Sequence, residues 1–200
     1  MKLIFVRHGQ TYANERAALD TIIPGAALTE LGWTQANAVV ADLLDYEPDA
    51  IWRSDTLRTE QTATPLATRL GLEPHVRAGL REISAGDLEG STDEAAMAEY
   101  IATMRAWIDG KLDLRLGGGD SGQETLQRCD AVIREVEQSG AHRPVIFAHA
   151  AIITFWLGMR ASGITDQMRA LPLHNTGIAV VEGSLATGYR AQRWMHIYKP

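Results

Sequence analysis

The chain has 200 residues, 46% hydrophobic and 22% charged, enough to bury roughly 70% of its unfolded surface in a core and too apolar for a disordered or fibrous protein. Its 19 Lys and Arg against 25 Asp and Glu give a net charge of -6, which argues against nucleic-acid or membrane binding and leaves room only for a small cationic pocket. The lone Cys129 cannot form an internal disulfide and no Cys/His cluster has zinc spacing, so a reducing, cytoplasmic setting without a bound metal is expected.

In chain order, residues 2–6 form a first apolar strand, and its hydrophobic run is far too short for the core of a signal peptide. A helix is expected over 29–44, capped by Thr29, and a second over 57–70, closed by Gly71 and kinked or started late by Pro65. Between them, 50–53 reads as a short strand. Ser91 with Glu94, and Ser121 with Glu124, have the S-x-x-E form of a capping box, so each opens a helix, and the glycines 117–119 join the two. The apolar stretch 145–159 is too short to span a bilayer, which needs roughly 18 residues, and reads as a strand over 144–148 running into a helix. Strands at 177–181 and 189–198, the last an edge, complete the chain. Apolar runs alternating with helices predict a three-layer α/β/α sandwich with a mostly parallel sheet, one domain over 1–200, and a small helical lid inserted at about 84–119.

Open α/β sheets bind ligands beyond the carboxyl ends of their strands. The first strand delivers Arg7 and His8 there, the second leads to Arg58, and the strand over 144–148 delivers His149. Two arginines and two histidines suit a tetrahedral dianion.

The residues Arg7-His8-Gly9 with Asn14, Leu28-Thr29-Glu30-Leu31-Gly32, Ser54-Asp55 through Arg58, Arg81-Glu82 with Glu89-Gly90, 118–124, and Val145 through His149 together resemble the motifs of the histidine phosphatase (phosphoglycerate mutase-like) superfamily, in the family's order. The resemblance covers nearly the whole chain and implies a phosphoric monoester hydrolase without cofactor. His8 would be the phosphoryl-accepting nucleophile, kept unprotonated by neighbouring cations. Arg7, Arg58, Asn14 and a protonated His149 would hold the phosphate. Glu82 would be the general acid and then the base, with its pKa raised by burial and bound phosphate; Asp87 and Glu89 are rival carboxylates, and a salt bridge of Glu82 to Arg81 or Arg77 is the plainer alternative. The partner implied is a small phosphorylated substrate, and some relatives form homodimers.

Two departures stand out: Gln10 replaces a frequent glutamate, and Ala150 follows His149 where glycine is usual. The stretch 15–27, where the family shapes its phosphate pocket, matches poorly. A cofactor-dependent phosphoglycerate mutase and a non-catalytic phospholigand-binding module are the alternatives. Gly119-Asp120-Ser121-Gly122 mimics a trypsin-like protease loop, but Ser121 is better explained as a cap. The tryptophans 33, 52, 107, 156 and 194 are expected in the core or under the lid, with Trp107 able to reach a substrate.

Overall fold

The computed structural model describes residues 1–164 and 173–196. One seven-stranded sheet organises the chain, built from β1 (Lys2–Arg7), β2 (Ala50–Arg53), β3 (His75–Val76), β4 (Pro144–Ala148), β5 (Ala161–Ser162), β6 (Ile178–Ser184) and β7 (Gly188–His196). The order across it is β3-β2-β4-β1-β6-β7-β5. The half from β3 to β1 is parallel, whereas β6 runs antiparallel to both β1 and β7.

Strand β1 shows why the run is continuously apolar rather than alternating. Leu3 and Phe5 face one helical layer, and Ile4 and Val6 face the other, so both faces are buried. The second layer comprises α2 (Glu30–Leu44) and α3 (Leu57–Leu70). The first comprises α5 (Gly122–Gln138) and α6 (Ala150–Arg160), with α4 (Glu94–Ile108) packed against α6. A four-residue helix, α1 (Tyr12–Glu15), follows β1.

Thr29 caps α2 through Gly32 N–H, Gly71 closes α3 with a left-handed φ of 66°, and Ser121 and Glu124 form both arms of a capping box. Several details differ from expectation. The box at Ser91 does not form: α4 starts later, after Asp93, and the Ser91 hydroxyl instead accepts from Asp93 N–H. Helix α3 spans the expected Leu57–Leu70, but Pro65 does not delay its start, because burial of Thr62, Ala63 and Leu66 outweighs the loss of one N–H. Strand β7 is only partly an edge, since β5 pairs with Tyr189 and Arg190; residues 197 and 198 lie outside the described part. Trp33 is exposed, while Trp107 is buried against Phe155 and Gly122 and does not line the cavity.

Candidate active site

His8 lies just beyond β1, where its N–H bonds to Ala148 carbonyl on the parallel neighbour β4 (3.1 Å). Gly9 and Gly32 pack backbone to backbone behind it, and a methyl group on either would strike a carbonyl oxygen of the other segment. The His8 Nδ1 is 2.7 Å from Gly9 carbonyl oxygen. A carbonyl only accepts, so Nδ1 carries the proton and Nε2 keeps its lone pair. Burial first, then Arg58 and Arg7, holds this imidazole well below the usual histidine range. The cations that the sequence singled out are therefore the secondary cause of a neutral His8.

His149 ends β4, with its ring edge-on to that of His8 at 5.3 Å between centroids. Arg58, on the first turn of α3, donates its Nε–H to His149 Nδ1 (3.1 Å). An arginine only donates, so His149 bears its proton on Nε2, and that nitrogen is buried without a partner among the described residues. Burial, then Arg58 and His8, pushes the His149 pKa well below 6.5. This replaces the expected protonated histidine with a neutral ring that still presents one N–H donor.

Arg7 gives Nη1 to Leu173 carbonyl (2.6 Å), while its buried Nε is unpartnered among the described residues. Burial lowers its pKa to about 10, so it stays cationic at neutral pH. Asn14 is fixed in one amide orientation: its Oδ1 accepts from Thr11 N–H (3.2 Å) and from Asn175 Nδ2 (3.1 Å), which leaves its own NH2 to donate elsewhere. Asn175 also donates to His8 carbonyl (3.0 Å), and Thr176 N–H bonds to Arg7 carbonyl (3.1 Å). The 174–176 loop thus clamps the segment that carries His8; the run His174-Asn175-Thr176-Gly177 resembles a loop before a late strand in the family, and Asn175 is the side chain by which it reaches His8, although none of the four lines the cavity.

Glu82 lines the same cavity as Arg7, His8 and Arg58, whereas Asp87 and Glu89 do not. Glu89 is occupied with the N–H (2.8 Å) and hydroxyl of Thr21. The simple salt-bridge alternative also fails, because Arg81 pairs with Asp55 and Arg77 with Glu135. Glu82 instead accepts from Ile83 N–H (2.9 Å), Ala151 N–H (3.0 Å) and Ile152 N–H (2.7 Å). Two of these are first-turn donors of α6, whose N-cap His149 makes no side-chain cap, so Glu82 supplies it from another segment. Arg128 on α5 holds the Glu82 loop in place by donating to the carbonyls of Gly79 (2.9 Å), Arg81 (2.8 Å) and Glu82 (2.9 Å).

A neutral imidazole with a free Nε2 lone pair, two arginines, an orphaned N–H and a carboxylate therefore converge on one sheet edge. The sequence profile of the histidine phosphatase superfamily (branch 1) matches residues 3–195. The chain belongs to the histidine phosphatase superfamily. Its similarity to glucosyl-3-phosphoglycerate phosphatase of Mycobacterium tuberculosis is 33% identity over 165 residues, 76% of this chain and 71% of that protein. A structure of mycobacterial glucosyl-3-phosphoglycerate phosphatase with VO3 superimposes with a TM-score of 0.80 at 28% identity, over 96% of this chain and 98% of the other. The chain is also 33% identical, over 95% of its length, to the PE-PGRS family protein PE_PGRS11 of Mycobacterium tuberculosis, but it spans only 35% of that protein.

Within this superfamily member, one further anion reaches the site. Asp20, which the sequence did not single out, accepts from Arg58 Nη1 through Oδ2 (3.3 Å) and from Nη2 through its carbonyl (3.0 Å). Ala26 N–H also bonds to that carboxylate (2.8 Å). Gly25, at φ 73°, packs so closely on Arg58 Nη1 that a side chain there would collide with the guanidinium. The poorly matching 15–27 stretch is thus a loop folded over Arg58.

Proposed function

We propose that this histidine phosphatase superfamily member is a metal-independent phosphomonoesterase that works through a phosphohistidine on His8. The observation that carries the proposal is a pair of adjacent rings with fixed tautomers: a lone pair on His8 Nε2 and an unpartnered N–H on His149 Nε2. In the first step His8 Nε2 attacks phosphorus, a P–N bond forms and the P–O bond to the alcohol breaks. Arg7, Arg58, His149 Nε2–H and the Asn14 amide hold the three non-bridging oxygens as charge shifts onto them. Glu82 is the group that supplies a proton to the leaving oxygen. In the second step the Glu82 carboxylate takes a proton from water, whose oxygen attacks phosphorus and releases inorganic phosphate and neutral His8.

The relatives' names support a phosphatase acting on a small phosphorylated substrate. A cytoplasmic location fits the lone, buried Cys129, whose thiol burial pushes up to about 12, an inert packing residue. Among the described residues no helix is long and apolar enough to cross a membrane. The test is phosphate release from a panel of phosphomonoesters, run beside incubation with phosphoglycerate and its bisphosphate. Steady release of phosphate is expected; rapid isomer exchange with little free phosphate would make the protein a mutase instead, and stoichiometric binding without turnover would make it a binding module.

A further inference from the structure

We infer that the alcohol half of the substrate is apolar, so that the enzyme selects monoesters of alkyl or aryl alcohols over those of sugars and polyols. The inference rests on the phosphatase proposal for the placement of the phosphoryl group, and on a separate feature, the cavity wall, for the rest. The lining of the cavity, about 440 Å³ in volume, is of two kinds. One is the polar cage that includes His8. The other is an apolar wall of Leu19, of Met97, Tyr100, Ile101 and Met104 from α4, and of Ala151 from α6.

The polar groups near that wall are already engaged. The Tyr100 hydroxyl donates to Ile83 carbonyl (2.8 Å). Thr21 gives its N–H and hydroxyl to Glu89, and its oxygen accepts from Ala85 N–H (3.0 Å). Glu82 faces three backbone N–H donors. What remains beyond the cage is Thr154 on α6, the exposed Arg105 on α4 and the Asp20 carboxylate, whose Oδ2 already takes Arg58 and Ala26. A sugar would surrender more water contacts here than these few groups replace, losing about tenfold or more in binding for each unmet hydroxyl. An alkyl chain has nothing to lose, and two flexible methionines adapt to its shape.

The experiment compares kcat/KM for n-alkyl phosphates from ethyl to hexyl with glycerol 3-phosphate and glucose 6-phosphate, all esters of primary alcohols, so that leaving-group acidity varies little. Binding of the matching alkylphosphonates, which cannot be hydrolysed, is measured by calorimetry. We expect kcat/KM and phosphonate affinity each to rise about fourfold per buried methylene. Met104→Gln should flatten both series while leaving vanadate inhibition, which reads the cage alone, unchanged. Glycerol or glucose phosphate turned over as well as hexyl phosphate, or phosphonate affinity independent of chain length, overturns the inference. Phosphonate affinity that climbs with chain length while no ester is hydrolysed supports the wall and sinks the phosphatase proposal, so the two failures are distinct.

Discussion

Arg58 donates its Nε–H to His149 Nδ1 across 3.1 Å, and this bond sets the tautomer of His149 and the orientation of Arg58. It fixes the His149 proton on Nε2, which is buried without a partner among the described residues, and it leaves the two Nη groups of Arg58 to the Asp20 loop. A lysine has no second donor arm with which to hold the ring while binding phosphate. Arg58→Lys should therefore lower kcat about 100-fold, in the range of a lost transition-state donor, and release the His149 tautomer. Nitrogen-15 spectra of the histidines check the second point: an unchanged Nε2–H form in the variant would show that Arg58 does not set it.

Asp20 competes for the same guanidinium. A dianionic phosphoryl group brought onto Arg58 meets the Asp20 carboxylate, so substrate binding includes its displacement. Asp20→Asn keeps an acceptor and removes the repulsion, and should tighten vanadate inhibition by about tenfold. Weaker inhibition would mean that Asp20 serves the bound state by orienting Arg58 rather than opposing the ligand.

The two histidines make stability depend on pH. Both are buried with folded pKa values well below the unfolded 6.5. Between those values the unfolded chain binds more protons than the folded one, so stability is complete above pH 6.5 and falls as pH drops below it, by up to about 1.4 kcal/mol per pH unit for each histidine. Urea unfolding of the wild type and of a His8→Asn, His149→Asn double variant between pH 7.5 and about 5 measures this window. The variant should lose the extra acid dependence; equal slopes would place the proton uptake elsewhere. The same depression keeps His8 nucleophilic into mildly acidic solution.

Glu82 has two duties that one substitution separates. Glu82→Gln should slow hydrolysis of alkyl phosphates far more than that of nitrophenyl phosphate, whose leaving group needs no proton. The amide cannot accept at both oxygen positions from the α6 donors, so stability should also fall by about 1 kcal/mol. Arg128→Lys, which loosens the loop without touching the cavity, should reproduce the leaving-group effect in milder form. Equal losses on both ester types would identify a different acid.

Much of this site is legible in the sequence because strand ends are. The apolar runs of β1 and β4 stop at Arg7 and His149, and a parallel sheet buried on both faces must place those ends side by side. The capping pairs Thr29 with Gly32 and Ser121 with Glu124 are local, and they form as written. Strands β3 and β5 have two residues each, too few for any periodicity. Ser91 shows the limit of a local motif, since the same spacing formed no box when Asp93 took the cap position. Arg128 and Asp20 act across long sequence separations, Arg128 on Glu82 over 46 residues and Asp20 on Arg58 over 38, and nothing local marks them, whereas Asn175, 167 residues from His8, lies in the family-like run 174–177 without any local sign of its partner. Glu82 is legible as a carboxylate of the loop that reaches the cavity, but not as the cap of a helix that starts 68 positions later in the chain, at Ala150.

The most direct measurement is rapid quenching of the enzyme during turnover of a radiolabelled phosphomonoester, followed by mapping of the labelled peptide. An acid-labile, base-stable label on the peptide that contains His8, absent in His8→Ala, is the predicted result. Label on any other residue, or burst turnover with His8 never labelled, would contradict a phosphoryl transfer through His8.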